Sequence, residues 1–398
     1  MGFITSIPGT QPITPAQRDP RSIGVGVVGL HEGRTLLLAL ERCGKAHAVA
    51  GCDLSPEKLD ASRSERPNLF YTGDYAEMLA RSDIGIIAIY TPDAHHGEHI
   101  VRAFEAGKDV ICTKPLVNSI RDAKAIFQAG QRTGRRLMVG QSTRFFEPFV
   151  RQREAFERGD IGTLELVDAH YIHRMDWYYR KSPWVAADTD WIFLGLSHPL
   201  DLLRWYLGPI TRVQAIGRRS ALGEQFGVKG FDVYVVQVEA RSGAIGRAMG
   251  NYGVHELPRA RNCVELMLYG ANGSSLAQYH DMRYIHTGTH TPVAEDRARP
   301  SASRFNPGGM QEIVEDYLYA GRQYYFNSEV HGMHYGEFAN YAEYFADAII
   351  NNRPHSPDLN EGIETFCLME ASRRSATERR PVEVVEIIAE IGLPPSSA

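Results

Sequence analysis

Cysteine is scarce in this chain of 398 residues. Cys43, Cys52, Cys112, Cys263 and Cys367 are scattered, odd in number and form no Cys-x-x-Cys pair. This argues against a disulfide framework and against a thiolate metal site, so no metal is expected and a reducing cytoplasm is the expected compartment. Long hydrophobic runs are missing as well. No apolar stretch reaches the ~18 residues that would suggest a membrane span, so no membrane partner is expected. Blocks of like charge are also absent. The net charge is −5, with acidic and basic residues mixed along the chain. Without a basic run to neutralise phosphates, nucleic acid is not an expected partner. There is no repeat and no low-complexity segment, which excludes solenoids and arrays.

What is present is ordinary globular composition, 43% hydrophobic and 23% charged, with length for two domains that each bury a core. Residues 1–21 are rich in Pro, Thr and Arg, lack the apolar core of a secretion signal and read as a flexible arm. From there, short apolar strands alternate with helices. Strands are expected at 23–28, 48–52, 84–90, 109–112 and 136–139, and helices at 35–43, from Ser55-Pro56-Glu57 onward, at 95–106 and at 119–132. Ser55 is placed to cap its helix, with Pro56 in the first turn. This alternation predicts a doubly wound parallel sheet, a Rossmann domain over 22–145. After about residue 145 the pattern changes. Longer strands are expected at 164–173, 211–216, 234–240, 246–250 and 264–269, two of them in succession without a helix between. That predicts a second α+β domain over 146–398 on a large, mostly antiparallel sheet. The polar stretch 281–307 reads as a long loop, and two helices near 336–351 and 361–375 close the chain. A sheet with one open face pairs readily with another subunit, so a homo-oligomer is expected.

The letters Gly24, Gly26 and Gly29 match a dinucleotide-binding pattern in the wrong register, because a phosphate turn must follow the first strand and open the helix. The turn is therefore Gly29-Leu30-His31-Glu32-Gly33. Gly29 can make the sharp exit and Gly33 the close helix approach, although His31 stands where a second Gly is usual. Asp53 ends the second expected strand, 24 residues after Gly29, near the ~20 expected of an acid that binds ribose hydroxyls. It would repel a 2′-phosphate, so NAD is expected rather than NADP.

The next motifs carry a resemblance. Thr91-Pro92-Asp93-Ala94-His95-His96, then Ala106-Gly107-Lys108-Asp109-Val110, then Lys114-Pro115, resemble the glucose-fructose oxidoreductase, inositol dehydrogenase and MocA family. Arg144-Phe145, Gly159-Asp160-Ile161-Gly162, His198-Pro199-Leu200-Asp201 and Gly270-Ala271-Asn272-Gly273 continue it over roughly residues 22–386. The resemblance implies a cofactor site at Gly29 to Gly33, Asp53, Thr91, Pro92, His96, Lys114 and Arg144, with Lys114 in the active site. Two positions depart from the family pattern. Thr113 replaces the Glu of its Glu-Lys-Pro. Leu194 replaces the Asp four residues before His198, removing the carboxylate that normally accompanies that histidine.

Hydride transfer from an alcohol requires a base for the hydroxyl proton and a group that stabilises the developing alkoxide. Lys114, at the carboxyl end of a parallel strand, can polarise the substrate oxygen. His198 is the candidate base, since imidazole titrates near neutrality. Its orienting partner is Asp201 at i+3, Asp190 if that segment is helical, or neither. If neither, His198 chiefly binds substrate, or packs, and Tyr178 or Tyr179 carries the proton. The segment Arg174 to Lys181 is aromatic and basic. Arg174, Trp177, Tyr178 and Arg180, with Lys114, Arg144 and His198, suit a sugar ring, anionic ones included; as a solvated loop, the same aromatics would pack on the sheet. An NAD-dependent dehydrogenase of a sugar, cyclitol or sugar derivative is expected. The alternatives are a glycoside hydrolase that oxidises, eliminates and re-reduces with bound NAD, and a non-catalytic binding protein.

Overall fold

A computed structural model of the chain describes residues 17–255, 263–288, 312–317 and 335–393. These form two compact units, one of residues 17–145, 335–366 and 390–392, the other of the remaining described residues. No helix of the described residues is long and apolar enough to cross a membrane.

In the first unit, β-branched and small apolar residues make short strands buried on both faces, as a parallel sheet covered by helices requires. They are β1 (Ile23–Val28), β2 (Ala46–Cys52), β3 (Phe70–Thr72), β4 (Ile86–Ile89), β5 (Asp109–Thr113) and β6 (Leu137–Gly140). Their order is β3-β2-β1-β4-β5-β6, every neighbouring pair parallel. The order reverses between β1 and β4, and ligands of open α/β sheets bind outside the carboxyl ends of the strands at such a reversal. The expected Rossmann sheet is present. The strand missing from the sequence reading is β3, three residues at the sheet edge with no apolar run to mark it.

Helix starts follow their sequence signals. Ser55 Oγ accepts the Lys58 N–H at 3.3 Å, and Ser119 Oγ accepts the Asp122 N–H at 3.2 Å. The helix Tyr335–Ile350 packs on the helix Gly33–Ala39. Phe338, Tyr341, Ala342 and Phe345 join Val25, Leu36, Leu37 and Leu40 in one buried core. The late helix thus completes the first unit, although it follows the second sheet in sequence and the span 146–398 had been expected to form one domain. Of the expected arm, residues 1–16 lie outside the described residues. Asp19 is tied down, its N–H donating to the Gly44 carbonyl at 2.9 Å.

The second unit carries β7 (Leu164–Ile172), β8 (Ile210–Arg218), β9 (Val233–Ala240), β10 (Ile245–Asn251), β11 (Val264–Gly270), β12 (Gly273–Tyr279), β13 (Arg283–Gly288), β14 (Ile313–Asp316) and β15 (Val382–Glu383). Among the described residues they form one sheet in the order β14-β13-β12-β11-β7-β10-β9-β8-β15. The pair β7 and β10 is parallel and the other pairs are antiparallel. In β9, buried Tyr234, Val236 and Val238 alternate with exposed Val235, Gln237 and Glu239, the pattern of a sheet with one covered face. The helices Glu147–Glu157 and Ser197–Leu207 pack on this sheet. The opposite face leaves Ile216, Ile245 and Tyr269 exposed. The stretch 281–307, expected as a loop, opens with β13; residues 289–307 lie outside the described residues. Arg283, His286 and Thr287 dilute the apolar alternation that would have marked that strand.

Gly29 leaves β1 at φ +88°, and a Cβ there would stand 2.6 Å from the carbonyl carbon and oxygen of Tyr90. Gly107 has φ +74° with nothing within 4 Å of its added Cβ. Gly107→Ala is expected to cost about 1–2 kcal/mol, the left-handed penalty alone. Gly29→Ala adds a backbone clash and should lower the urea unfolding midpoint clearly further. Equal midpoints for the two variants would contradict this packing.

Candidate active site

The loops that follow β1, β2, β4 and β5 all leave the carboxyl edge of the first sheet. The Gly29 N–H donates to the Cys52 carbonyl at 2.9 Å and the Gly33 N–H to the Gly29 carbonyl at 3.2 Å, closing the turn. A Cβ on Gly33 would lie 2.6 Å from Val27 Cγ1, so glycine is what lets the helix start against β1. Such a turn, with no Cβ at either end, fits a dinucleotide pyrophosphate at backbone distance. Leu30 is buried, Glu32 is half-buried and His31 is exposed.

Asp53, 9% exposed, accepts the Leu30 N–H on Oδ2 at 2.7 Å and the Ser55 N–H on Oδ1 at 2.9 Å. A carboxylate offers about four lone-pair sites, so acceptor capacity remains for ribose hydroxyls. Lys58 Nζ stands 3.5 Å from Oδ2. The sequence reading passed over this cation, which stands five residues after the acid and is brought back to it by the first turn of the helix Pro56–Glu65.

After β4, Asp93 opens a short 3₁₀ turn and is 2% exposed. Thr91 Oγ1 lies 3.1 Å from His99 Nδ1. His96 is 1% exposed, with Nε2 2.8 Å from the Thr91 carbonyl oxygen and Nδ1 2.9 Å from that of Pro115. Lys114 opens the turn after β5, its bond to Pro115 cis. Burial brings its ammonium down to about 8, against the opposing pull of Asp93 and Glu32. Arg144 is buried and bonds Ser356 Oγ at 3.0 Å and Glu361 Oε1 at 3.1 Å. These bonds hold the chain after β6 to the start of the helix Leu359–Glu378.

In the second unit, His198 sits in the first turn of the helix Ser197–Leu207 beside Pro199 and is 6% exposed. Its ring meets Tyr171 edge-on at 5.8 Å. From there aromatic contacts run on through Tyr252, Trp191 and Tyr178 to Trp177. Trp177 is 39% exposed, and His173 lies between it and His280, 6.4 Å from each. Thus His198 and the aromatic segment join one continuous set of rings. Tyr171, His173 and His280 were missed in the sequence. The signal was there for the first two, since they stand two apart where β7 ends and so share a side.

The two candidate partners of His198 differ. Residues 191–196 form turns and not a helix, so the condition under which Asp190 would share a face with His198 is not met. Asp190 accepts from Tyr234 Oη at 2.6 Å and from the Ile192 N–H at 2.9 Å, and burial raises it. Asp201 is 2% exposed and shares the His198 helix. Arg174 Nε and Arg180 Nη1 both pair with Asp176, at 3.0 and 2.9 Å, and Arg180 also lies over Phe226.

Residues 23–141 match the model of an oxidoreductase family with an NAD-binding Rossmann fold, and residues 149–275 match the GFO/IDH/MocA C-terminal domain. The chain belongs to the GFO/IDH/MocA oxidoreductase family. It is an enzyme of that family, and its cofactor is NAD. It is 29% identical over 187 residues to 1-carboxy-3-chloro-3,4-dihydroxycyclohexa-1,5-diene dehydrogenase of Comamonas testosteroni, a match spanning 45% of this chain and 46% of that protein. It is 24% identical over 368 residues to inositol 2-dehydrogenase of Rhizobium meliloti, spanning 87% of this chain and 98% of that one. Its fold matches levoglucosan dehydrogenase in complex with NADH, with a TM-score of 0.72 and 19% identity, over 91% of this chain and 99% of that one.

Replacing Asp53 by Ala removes the carboxylate expected to accept from ribose hydroxyls and takes away the carboxylate beside the Lys58 ammonium. NAD binding should weaken by about tenfold or more, at least one charged hydrogen bond, and NADP binding should weaken less, so that the preference for NAD narrows. Fluorescence titration with the reduced dinucleotides checks this; an unchanged NAD-to-NADP ratio in the variant would contradict it.

Proposed function

We propose that the chain is an NAD-dependent dehydrogenase of a sugar, cyclitol or sugar derivative, anionic ones included. The observation that carries the reading is Lys114, a lysine whose ammonium burial brings down to about 8, on the loop beside the reversal point of the first sheet. Bound NAD supplies the hydride acceptor. As an ammonium, Lys114 donates a hydrogen bond to the reacting oxygen and stabilises negative charge there. As an amine, it can accept the hydroxyl proton. On this reading His198 acts on the same substrate, as base or as hydroxyl ligand, with Asp201 as the carboxylate on its helix. Arg144 serves through the buried pair it forms with Glu361. The ring set ending at exposed Trp177, flanked by Arg174, Tyr178 and Arg180, supplies apolar faces for a sugar ring and donors for its hydroxyls or a carboxylate.

The sign of the pH dependence follows from Lys114. If its amine form takes the proton, oxidation should rise as pH passes about 8 and then level off, while reduction, which requires the ammonium, should fall over the same range. Lys114→Ala should cut turnover by roughly 10²-fold, with NAD binding changed far less. The measurement is NADH formation against a panel of sugars, cyclitols and glycosides, with aglycone release read in parallel. Net NADH without aglycone release supports the dehydrogenase. Aglycone release without net NADH, or a folded Lys114→Ala protein with normal turnover, overturns it.

We also propose a homo-oligomer built on the open face of the second sheet. That face exposes Ile216 at 72% and Ile245 at 52%, apolar residues that water disfavours and a second copy can cover. Sedimentation velocity should give a species larger than one chain, and Ile216→Asp with Ile245→Asp should reduce it. A parent protein that sediments as one chain contradicts the proposal.

A further inference from the structure

Tyr252 stands one residue past the end of β10 and is fully buried. Its ring stacks on Trp191 with centroids 4.3 Å apart and meets Tyr171 edge-on at 5.5 Å. Tyr171 is the ring that meets His198. The Tyr252 ring also lies directly against Gly195. A Cβ added to Gly195 would stand 2.3 Å from Tyr252 Cε1 and Cζ and 2.4 Å from Oη, so glycine is what lets the turn close over the ring. The Gly195 carbonyl in turn accepts the His198 N–H at 3.3 Å. Tyr252 therefore backs His198 twice, once through the Tyr171 ring and once through the backbone that starts the helix Ser197–Leu207.

The same residue holds the aromatic and basic segment. The Met175 N–H donates to the Tyr252 carbonyl at 3.0 Å. Trp191, stacked on the Tyr252 ring, donates from Nε1 to Tyr179 Oη at 2.6 Å. The Tyr252 N–H donates to the Asp232 carbonyl at 3.0 Å, just before β9. Close-packed interior rings transmit position because they have little room to move.

We infer that Tyr252 is a positioning residue for His198, and that its ring does the holding and its hydroxyl does not. A leucine side chain, as at position 194, has no hydrogen-bonding atom. What a carboxylate there would fix by a hydrogen bond, the Tyr252 ring fixes by packing. Its Oη is buried and has no hydrogen-bond partner among the described residues, so removing that oxygen breaks no hydrogen bond there, and Cε1 and Cζ keep their contact with Gly195. The inference rests on the reading of His198 given above, as a residue that acts on the substrate.

Tyr252→Phe and Tyr252→Leu separate the ring from the oxygen. Tyr252→Phe should keep parent turnover and a urea midpoint no lower than the parent's. Tyr252→Leu should lower kcat by roughly 10- to 10²-fold, the cost of misplacing a reacting group by about 1 Å, while NAD binding by fluorescence titration stays near the parent. Gly107→Ala, in the first unit, is the control for lost stability alone and should keep parent turnover. A second readout needs no substrate. In ¹³C-histidine NMR of the whole protein, the His198 Hε1 signal, assigned by its absence in His198→Ala, lies in the field of the Tyr171 ring. It should hold in Tyr252→Phe and Gly107→Ala and move in Tyr252→Leu; should the Leu variant not fold, Tyr252→Met takes its place. An unmoved His198 signal in the folded ring-less variant overturns the inference, and so does a Tyr252→Phe protein that loses turnover as far as Tyr252→Leu does. Should no sugar yield NADH while the His198 signal still follows the ring at position 252, the dehydrogenase reading fails and the placement of His198 by Tyr252 stands.

Discussion

Asp53 accepts the Leu30 N–H at 2.7 Å and the Ser55 N–H at 2.9 Å, and the carboxyl edge of the first sheet is shaped around that carboxylate. The first bond holds the turn after β1 against the end of β2. The second starts the helix that follows β2. Bonds from backbone N–H groups to a charged acceptor are worth about 1.5–3 kcal/mol each, enough to keep a glycine turn from opening. Gly29 can then exit β1 in a left-handed conformation against the Tyr90 backbone. A pyrophosphate needs this turn closed and free of side chains, so cofactor binding depends on the same few contacts. The chemistry assigned to Lys114 depends in turn on a cofactor held there.

The two units contribute different chemistry. In the first, the segments that leave the carboxyl edge of the parallel sheet carry charge: Asp53, Lys58, Asp93, Lys114. They sit at or within a few residues of strand ends, which favours precise placement over adaptability. The second supplies aromatic surface on a twisted, mostly antiparallel sheet, together with His198. Function resides in such sites more than in the fold that bears them. The fold is common to relatives with different named substrates, and on the proposed function the aromatic and basic segment Arg174 to Lys181 is where this chain sets its own.

Much of this was legible in the sequence, for physical reasons. β1, β2, β4, β5 and β6 showed as apolar runs because parallel strands are buried on both faces. Ser55 announced its helix start because capping is local chemistry. The Gly29 turn could be placed because a phosphate turn must follow its strand. What escaped depended on long-range contact or weak pattern. β3 is too short to show a period, and charge interrupts the alternation of β13. The helix Tyr335–Ile350 joins the first unit only because its apolar face completes a core begun some three hundred residues earlier. Asp190 was reachable by helical spacing from His198 only if a helix ran between them, and turns run there instead. Lys58 and the paired carbonyls around His96 arise from tertiary approach, which no spacing rule encodes.

The central claim is that a hydride passes from a hydroxyl-bearing carbon of a sugar or cyclitol to NAD on this chain. Isotope transfer tests it most directly. The protein with NAD would be incubated with a panel of sugars and cyclitols deuterated at their carbon-bound positions, and the recovered dinucleotide read by mass spectrometry. The account predicts reduced dinucleotide carrying one deuterium from at least one panel member, formed far more slowly by the Lys114→Ala protein. Dinucleotide that stays unlabelled with every member, in a protein shown to bind NAD, would contradict it.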